Sequence, residues 1–204
     1  MINIALSESD AAITKKIYAA LAKELNLYLI QKTPKVMERV KSDIEAALYG
    51  CPEIQSLKNG RLKADFGLTS DPTGPIVSSI LSTLNIKTEK VSAATKTFKG
   101  GFTLTMQPND YSNILSLSAS KQIIQGGSIP WLKWLLTLGD SIIIANFGVE
   151  YGPFGRSGMA RMTEKQRPFK VNSAFSGTNS DNFITRALST NKTTIEKSIV
   201  KVLT

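Results

Sequence analysis

The apolar residues of this chain change their period partway along it. Ile13, Ile17, Leu21, Leu25 and Tyr28 follow one another at spacings of 4, 4, 4 and 3, which places them on one face of a helix. Phe102, Leu104 and Met106 instead alternate with Thr103 and Thr105, the period of a strand with one covered face. Both periods in one chain of 204 residues predict an α+β fold. Metal and disulfide scaffolds are excluded as its support. The chain has no histidine and one cysteine, Cys51, so it must be held by an apolar core. At 42% apolar residues that core is affordable for a unit of this size.

The first fifty residues predict two helices. Ser7 with Asp10 is an N-terminal cap signal for the first. Thr33-Pro34 restarts the second, with Pro34 suited to a first helical position, and Met37, Val40, Ile44, Ala47 and Leu48 form its apolar stripe. Arg39 with Asp43 and Lys41 with Glu45 are opposite charges four residues apart on the wet side. Gly50 and Pro52 end it, and an antiparallel helical hairpin over residues 1–52 follows.

Residues 53–170 predict a mixed core, a mostly antiparallel sheet with packed helices. Asn59-Gly60 is a turn signal, and residues 75–84 have helical spacing. Residues 85–91 and 101–107 predict a β-hairpin turning over 96–101. Residues 130–138 predict a short helix, and 142–147 a continuous buried strand. Repeated glycine and proline over 152–170 predict a loop. Residues 171–204 predict a linker and then a C-terminal helix opened by the capping box Thr193-x-x-Glu196.

The net charge is +9, and two thirds of it falls after residue 150, where nine basic side chains meet three acidic ones. Arg156, Arg161, Lys165, Arg167 and Lys170 stand there against Glu164 alone, with Phe154 and Phe169 beside them. Such a segment suits an acidic protein face or a phosphate backbone, and no recognition helix or RNA-binding signature accompanies it. Trp131 and Trp134, the only tryptophans, lie three apart on one helical face. They are core anchors, or hot spots of an interface.

Enzymatic readings find little support. Ser118-Ala119-Ser120-Lys121 and Ser180-Asp181-Asn182 match two motifs of the serine β-lactamases, but the third, Lys-Thr-Gly, is missing. The carboxylates Asp65, Asp71, Asp110, Asp140 and Glu150 are scattered, and the glycine-rich run from Gly148 lacks the lysine of a phosphate loop. No catalytic, cofactor or metal site is assigned. The start of the chain lacks the basic and apolar blocks of a secretory signal, and no apolar run reaches membrane-spanning length.

One ordered set of motifs resembles a known group. Pro130-Trp131-Leu132-Lys133-Trp134-Leu135-Leu136, then Gly139, then Ile142-Ile143-Ile144, then Arg156-Ser157-Gly158-x-x-x-Met162 is similar to a group of tailed-bacteriophage virion proteins of the head–tail junction. The upstream Leu57-x-x-Gly60-x-Leu62-x-x-x-Phe66-Gly67-Leu68 fits as well. The sequence departs at Lys133, where that pattern has an acid, and at Gly155, where it has serine. The resemblance implies a structural, non-enzymatic virion protein made in the host cytoplasm. It would form a homo-oligomeric ring of the neck, a tail terminator or tail-completion protein. Its partners would be neighbouring neck, portal-side or tail-tube proteins, with DNA only in transit, no cofactor and no membrane. An adaptor or stopper ring nearer the portal and a nucleic-acid-binding module using residues 156–170 are the alternatives.

Overall fold

Helix-forming residues dominate the N-terminus, and in the computed structural model they form one helix. The structure describes residues 8–94, 97–108, 110–124, 127–164 and 168–204. Helix α1 runs Asp10–Gly50 without a break, capped by Ser9, whose Oγ accepts from the Ala12 amide at 3.3 Å. Ser7, the expected cap, lies outside the described residues.

The expected hairpin is thus corrected to a single 41-residue helix that carries Pro34 inside it. Proline removes one backbone donor and strains the preceding turn, a cost of about 3 kcal/mol. Beside it, Thr33 Oγ1 donates to the Leu29 carbonyl at 2.9 Å and lies 3.0 Å from Thr88 Oγ1. Beyond the proline, Val36, Val40, Ile44 and Leu48 are wholly buried, each contributing about 1.5–3 kcal/mol. Burial outweighs the proline. The antiparallel partner comes from the other end of the chain. Helix α7, Phe183–Leu203, begins beside Glu53 and ends at Tyr28, whose hydroxyl donates to the Leu203 carbonyl at 2.7 Å.

Short elements follow α1. Helix α2 (Pro52–Asn59) places Pro52 at its first position, and α3 (Arg61–Asp65) and α4 (Thr73–Ser82) bring Leu57, Leu62, Ile76 and Ile80 into the core. Strands β1 (Asn85–Ala94) and β2 (Thr97–Thr105) pair antiparallel from Asn85 opposite Thr105 to Ala94 opposite Thr97, with a register shift between Glu89 and Ser92. The hairpin exists, but residues 98–101 belong to β2 rather than to its turn. Lys96 lies outside the described residues. Phe98, near the hairpin tip, sets its ring 5.5 Å from that of Tyr18 on α1. This contact joins β2 to α1 by packing, which local turn signals do not register.

Helix α5 (Ser112–Leu115) and a 3-10 turn at Ser118–Ser120 lead to β3 (Gln122–Ile124) and β4 (Gly127–Ile129), then α6 (Leu132–Leu136). The expected strand over 142–147 is two strands. Strand β5 (Ile142–Ile144) stops at a turn where Asn146 takes φ 63°, and β6 (Phe147–Tyr151) starts anew. Nor is the segment buried throughout, since Ile142 is 58% exposed. Strand β6 pairs with β7 (Ala160–Glu164), and β5 with β8 (Phe169–Lys170). Among the described residues the expected central, mostly antiparallel sheet is four antiparallel pairs, β1–β2, β3–β4, β5–β8 and β6–β7. The α+β class and the C-terminal helix stand as read from the sequence. Helix α7 starts ten residues before the expected capping box. Asn182 caps it, accepting from the Ile184 and Thr185 amides at 3.1 and 3.2 Å, and Phe183, Ile184 and Ala187 enter the core.

Candidate partner interface on the β6–β7 arm

The basic segment is folded rather than loose. Residues 152–159 form the turn of the β6–β7 hairpin, and Lys170 sits in β8. Lys165 and Arg167 lie outside the described residues. Each described cation has a partner. Glu150 and Arg161 face each other across the hairpin, Arg161 Nε donating to Glu150 Oε2 at 2.9 Å, and the guanidinium lies 4.5 Å over the Phe154 ring. Arg156 Nη1 donates to the Ile123 carbonyl at 2.8 Å, which ties the turn to β3. Lys170 Nζ reaches Asp140 Oδ2 at 3.4 Å. The sequence predicts one acid, Glu164, for this group. Folding brings Glu150 to Arg161 across 11 residues of sequence and Asp140 to Lys170 across 30, so the described part is a paired surface rather than a self-repelling one.

Beside these arginines is a recess of about 310 Å³, with apolar walls from Ile124, Ile129, Val149 and Met162 and with Asp65 at its edge. Asp65 is buried at the end of α3. Its Oδ1 accepts from the Tyr151 hydroxyl, and its Oδ2 lies 3.6 Å from Arg61 Nε. Burial raises the Asp65 carboxyl above its ordinary range, and the Tyr151 and Arg61 contacts offset that only in part. Burial and the Asp65 carboxylate together push the Tyr151 phenol up to about 12. The cluster therefore fastens β6 to α3 and keeps the hydroxyl protonated. Chemically, the recess offers an apolar hole with guanidinium groups at its side, suited to an apolar side chain next to a carboxylate.

The tryptophans divide. Trp131 is wholly buried, its ring 5.4 Å from Phe66, which in turn meets Phe169 at 6.3 Å. Trp134 is half-buried against the same core. Neither indole N–H finds a hydrogen-bond partner among the described residues.

Of the β-lactamase-like residues, Ser120 and Asn182 make hydrogen bonds that hold the fold. Ser118 is exposed in its 3-10 turn, and Ser120 donates to the Leu115 and Leu117 carbonyls at 2.9 and 2.7 Å. Asn182 caps α7 and donates to the Tyr111 hydroxyl at 2.8 Å. Burial pushes the Cys51 thiol up to about 11. Among the described residues there is no group of three histidine, cysteine, aspartate or glutamate side chains able to hold a metal, and no helix long and apolar enough to cross a membrane.

Sequence reasoning missed the Asp65–Tyr151 pair, whose members are 86 residues apart with no local signal at either. It also missed the N-terminal half of α1 as a surface, although its apolar stripe was plain. No family model, no curated protein and no solved structure matches the chain.

Proposed function

We propose that this chain is a structural subunit of a tailed-bacteriophage virion, forming a homo-oligomeric ring at the head–tail junction that joins the portal to the tail. The observation that carries the reading is where the two motif blocks meet. Leu57, Leu62, Phe66 and Leu68 of the upstream block share one core with Trp131, Leu132, Leu135 and Leu136 of the downstream block, and Phe66 lies against Trp131. Residues fixed in this way build a rigid unit. The β6–β7 arm is tied to that unit through Tyr151 on Asp65 and Arg156 on the Ile123 carbonyl, and Arg156 and Arg161 line an apolar recess there. An arm of this kind docks on the acidic face of an adjacent ring, and rotation of a heterologous contact closes the ring itself.

Pairing of Arg161 with Glu150 and of Lys170 with Asp140 leaves fewer free cations for a phosphate backbone, and the apolar recess beside Arg156 and Arg161 suits a protein side chain, which together favour a protein partner over DNA. The test is location. Cryo-electron microscopy of the parent particle should place this chain in a ring between portal and tail tube. Its absence from purified particles, with the protein present in infected cells, would end the proposal.

A further inference from the structure

Helix α7 covers one side of α1 only as far as Tyr28. The same side continues toward the N-terminus as Leu25, Leu21 and Ile17, and there it is bare: Ile17 is 53% exposed and Leu21 47%. These residues carry the apolar stripe of the sequence, at i, i+4, i+8 and i+11, so half of this helix has a ridge without a partner among the described residues. On the opposite side, α1 and β1 diverge around a groove of about 1240 Å³. Its floor is Ala19, Ala22 and Val91, and its wall includes Leu27 and Ile30. The hinge of this groove is Asn26, which accepts from the Val91 amide at 2.7 Å and donates to the Val91 carbonyl at 3.0 Å.

We infer that the ridge of one copy seats in the groove of the next, a heterologous contact between copies of this chain. Size is the first argument. The groove exceeds the roughly 300–1,000 Å³ typical of small-molecule sites and suits an amphipathic helix with anchors every turn. The small side chains of Ala19 and Ala22 let a helix approach closely. Charge is the second. Lys15, Lys23 and Lys90 line the groove and form no ion pair among the described residues. The ridge is flanked toward its N-terminal end by Asp10 and Glu24, equally without an ion pair among those residues; Lys32 beside it stands at the far end, over the Tyr28 ring and on the Val202 carbonyl at 3.3 Å. Acids therefore border the ridge and bases the groove, which is the complementarity a second copy supplies. Ridge and groove lie on opposite sides of one helix, so the contact propagates from copy to copy instead of closing as a two-fold dimer. It rests on the ring reading only for closure of that series.

Two exposed positions test it without touching the core. Leu21→Asp spoils the ridge, and Ala19→Trp fills the groove. Sedimentation of the wild type should show species larger than a dimer, weakened at high salt. Each variant alone should be monomeric, with self-association reduced at least tenfold and an unchanged melting temperature. An equimolar mixture should give a one-to-one dimer and nothing larger, because one variant keeps its groove and the other its ridge. Wild-type behaviour of Ala19→Trp alongside a monomeric Leu21→Asp would overturn the inference in favour of ridge-to-ridge pairing. A wild type that stays monomeric up to near-millimolar concentration would overturn it too. Neither result bears on whether the chain is found at the head–tail junction of particles, so the two proposals fail separately.

Discussion

Glu53 is 3% exposed, and Arg186 holds it across 133 residues of sequence, Nη2 to Oε1 at 2.6 Å. The other guanidinium nitrogen reaches Asp181 at 3.0 Å, and the Ser176 carbonyl accepts at 3.3 Å. This pair fixes the start of α7 to the start of α2, and so sets how α7 lies along α1. Arg186→Ala should destabilise the chain by about 2–4 kcal/mol, because it leaves a buried carboxylate without its cation. Denaturant unfolding would measure it. Adding Glu53→Gln to Arg186→Ala should recover part of the loss, since the remaining buried group is then neutral; no recovery would mean that Arg186 acts by packing alone.

Alkali should unfold the protein in a window set by two groups. Cys51 has its thiol raised from 9.0 to about 11, mainly by burial. A raised pKa means that the folded state holds its proton more tightly than the unfolded state. That contribution is complete below pH 9 and disappears as pH rises through about 11. Two units correspond to about 3 kcal/mol for this buried group. Tyr151, raised to about 12, acts in the same direction, less strongly because its ring is half exposed. Stability measured between neutral pH and pH 11 should fall, and Cys51→Ala should flatten that fall. An equal slope in the variant would exclude the thiol as the cause.

Local patterns were legible in the sequence where burial and period agree. Residues 130–138, with apolar side chains on the face that packs, gave a helix close to α6. Pairing over long separations was not legible. The stripe from Ile13 to Tyr28 reads as one face of a hairpin helix, and most of it is exposed, because periodicity records that a face is apolar and not what covers it. Thr33-Pro34 reads as a helix start on local grounds, and the buried Val36–Leu48 row overrides it. Thr193 and Glu196 fit a cap by spacing, but they lie on the wet side of an established helix, where Lys192 and Glu196 are 3.9 Å apart. For the basic segment, the sequence located the charges but did not join them to Glu150 and Asp140, which reach Arg161 and Lys170 only in the fold.

The two tryptophans should respond differently to truncation. Trp131→Ala removes a wholly buried ring from contact with Phe66 and should cost about 3–5 kcal/mol. Trp134, half-buried, should cost about half as much on the same scale. Trp131→Phe should be milder than alanine, since phenylalanine keeps much of the ring and deletes an N–H that has no partner among the described residues. Thermal unfolding of the three variants checks the order. Equal losses for Trp134→Ala and Trp131→Ala would mean that Trp134 carries more of the core than its exposure indicates.

Gly155 stands where the pattern this chain resembles has serine, and its geometry bars a side chain. The residue takes φ +76°, and a Cβ placed on it would stand 1.8 Å from the Ala160 carbonyl oxygen. Two separate penalties therefore act on any side chain: the left-handed backbone, worth roughly 1–2 kcal/mol, and a clash with backbone that cannot swing away. Gly155→Ser should open the β6–β7 turn rather than unfold the chain, because the core beneath does not depend on it. Gly177 is the contrasting case. Its Cβ would meet the Leu135 carbonyl at 2.0 Å, and its own amide donates to the Trp134 carbonyl at 2.9 Å, so it seals the end of α6 from inside. Gly177→Ala should lower stability by more than about 2 kcal/mol, in the range of overpacked cores. Amide hydrogen exchange separates the two. Gly155→Ser should speed exchange along residues 147–164 and leave α6 and α7 protected, whereas Gly177→Ala should speed exchange throughout the described core. If Gly155→Ser leaves the β6–β7 amides as protected as in the wild type, the turn accommodates serine, and the glycine is not what sets this chain apart from the pattern.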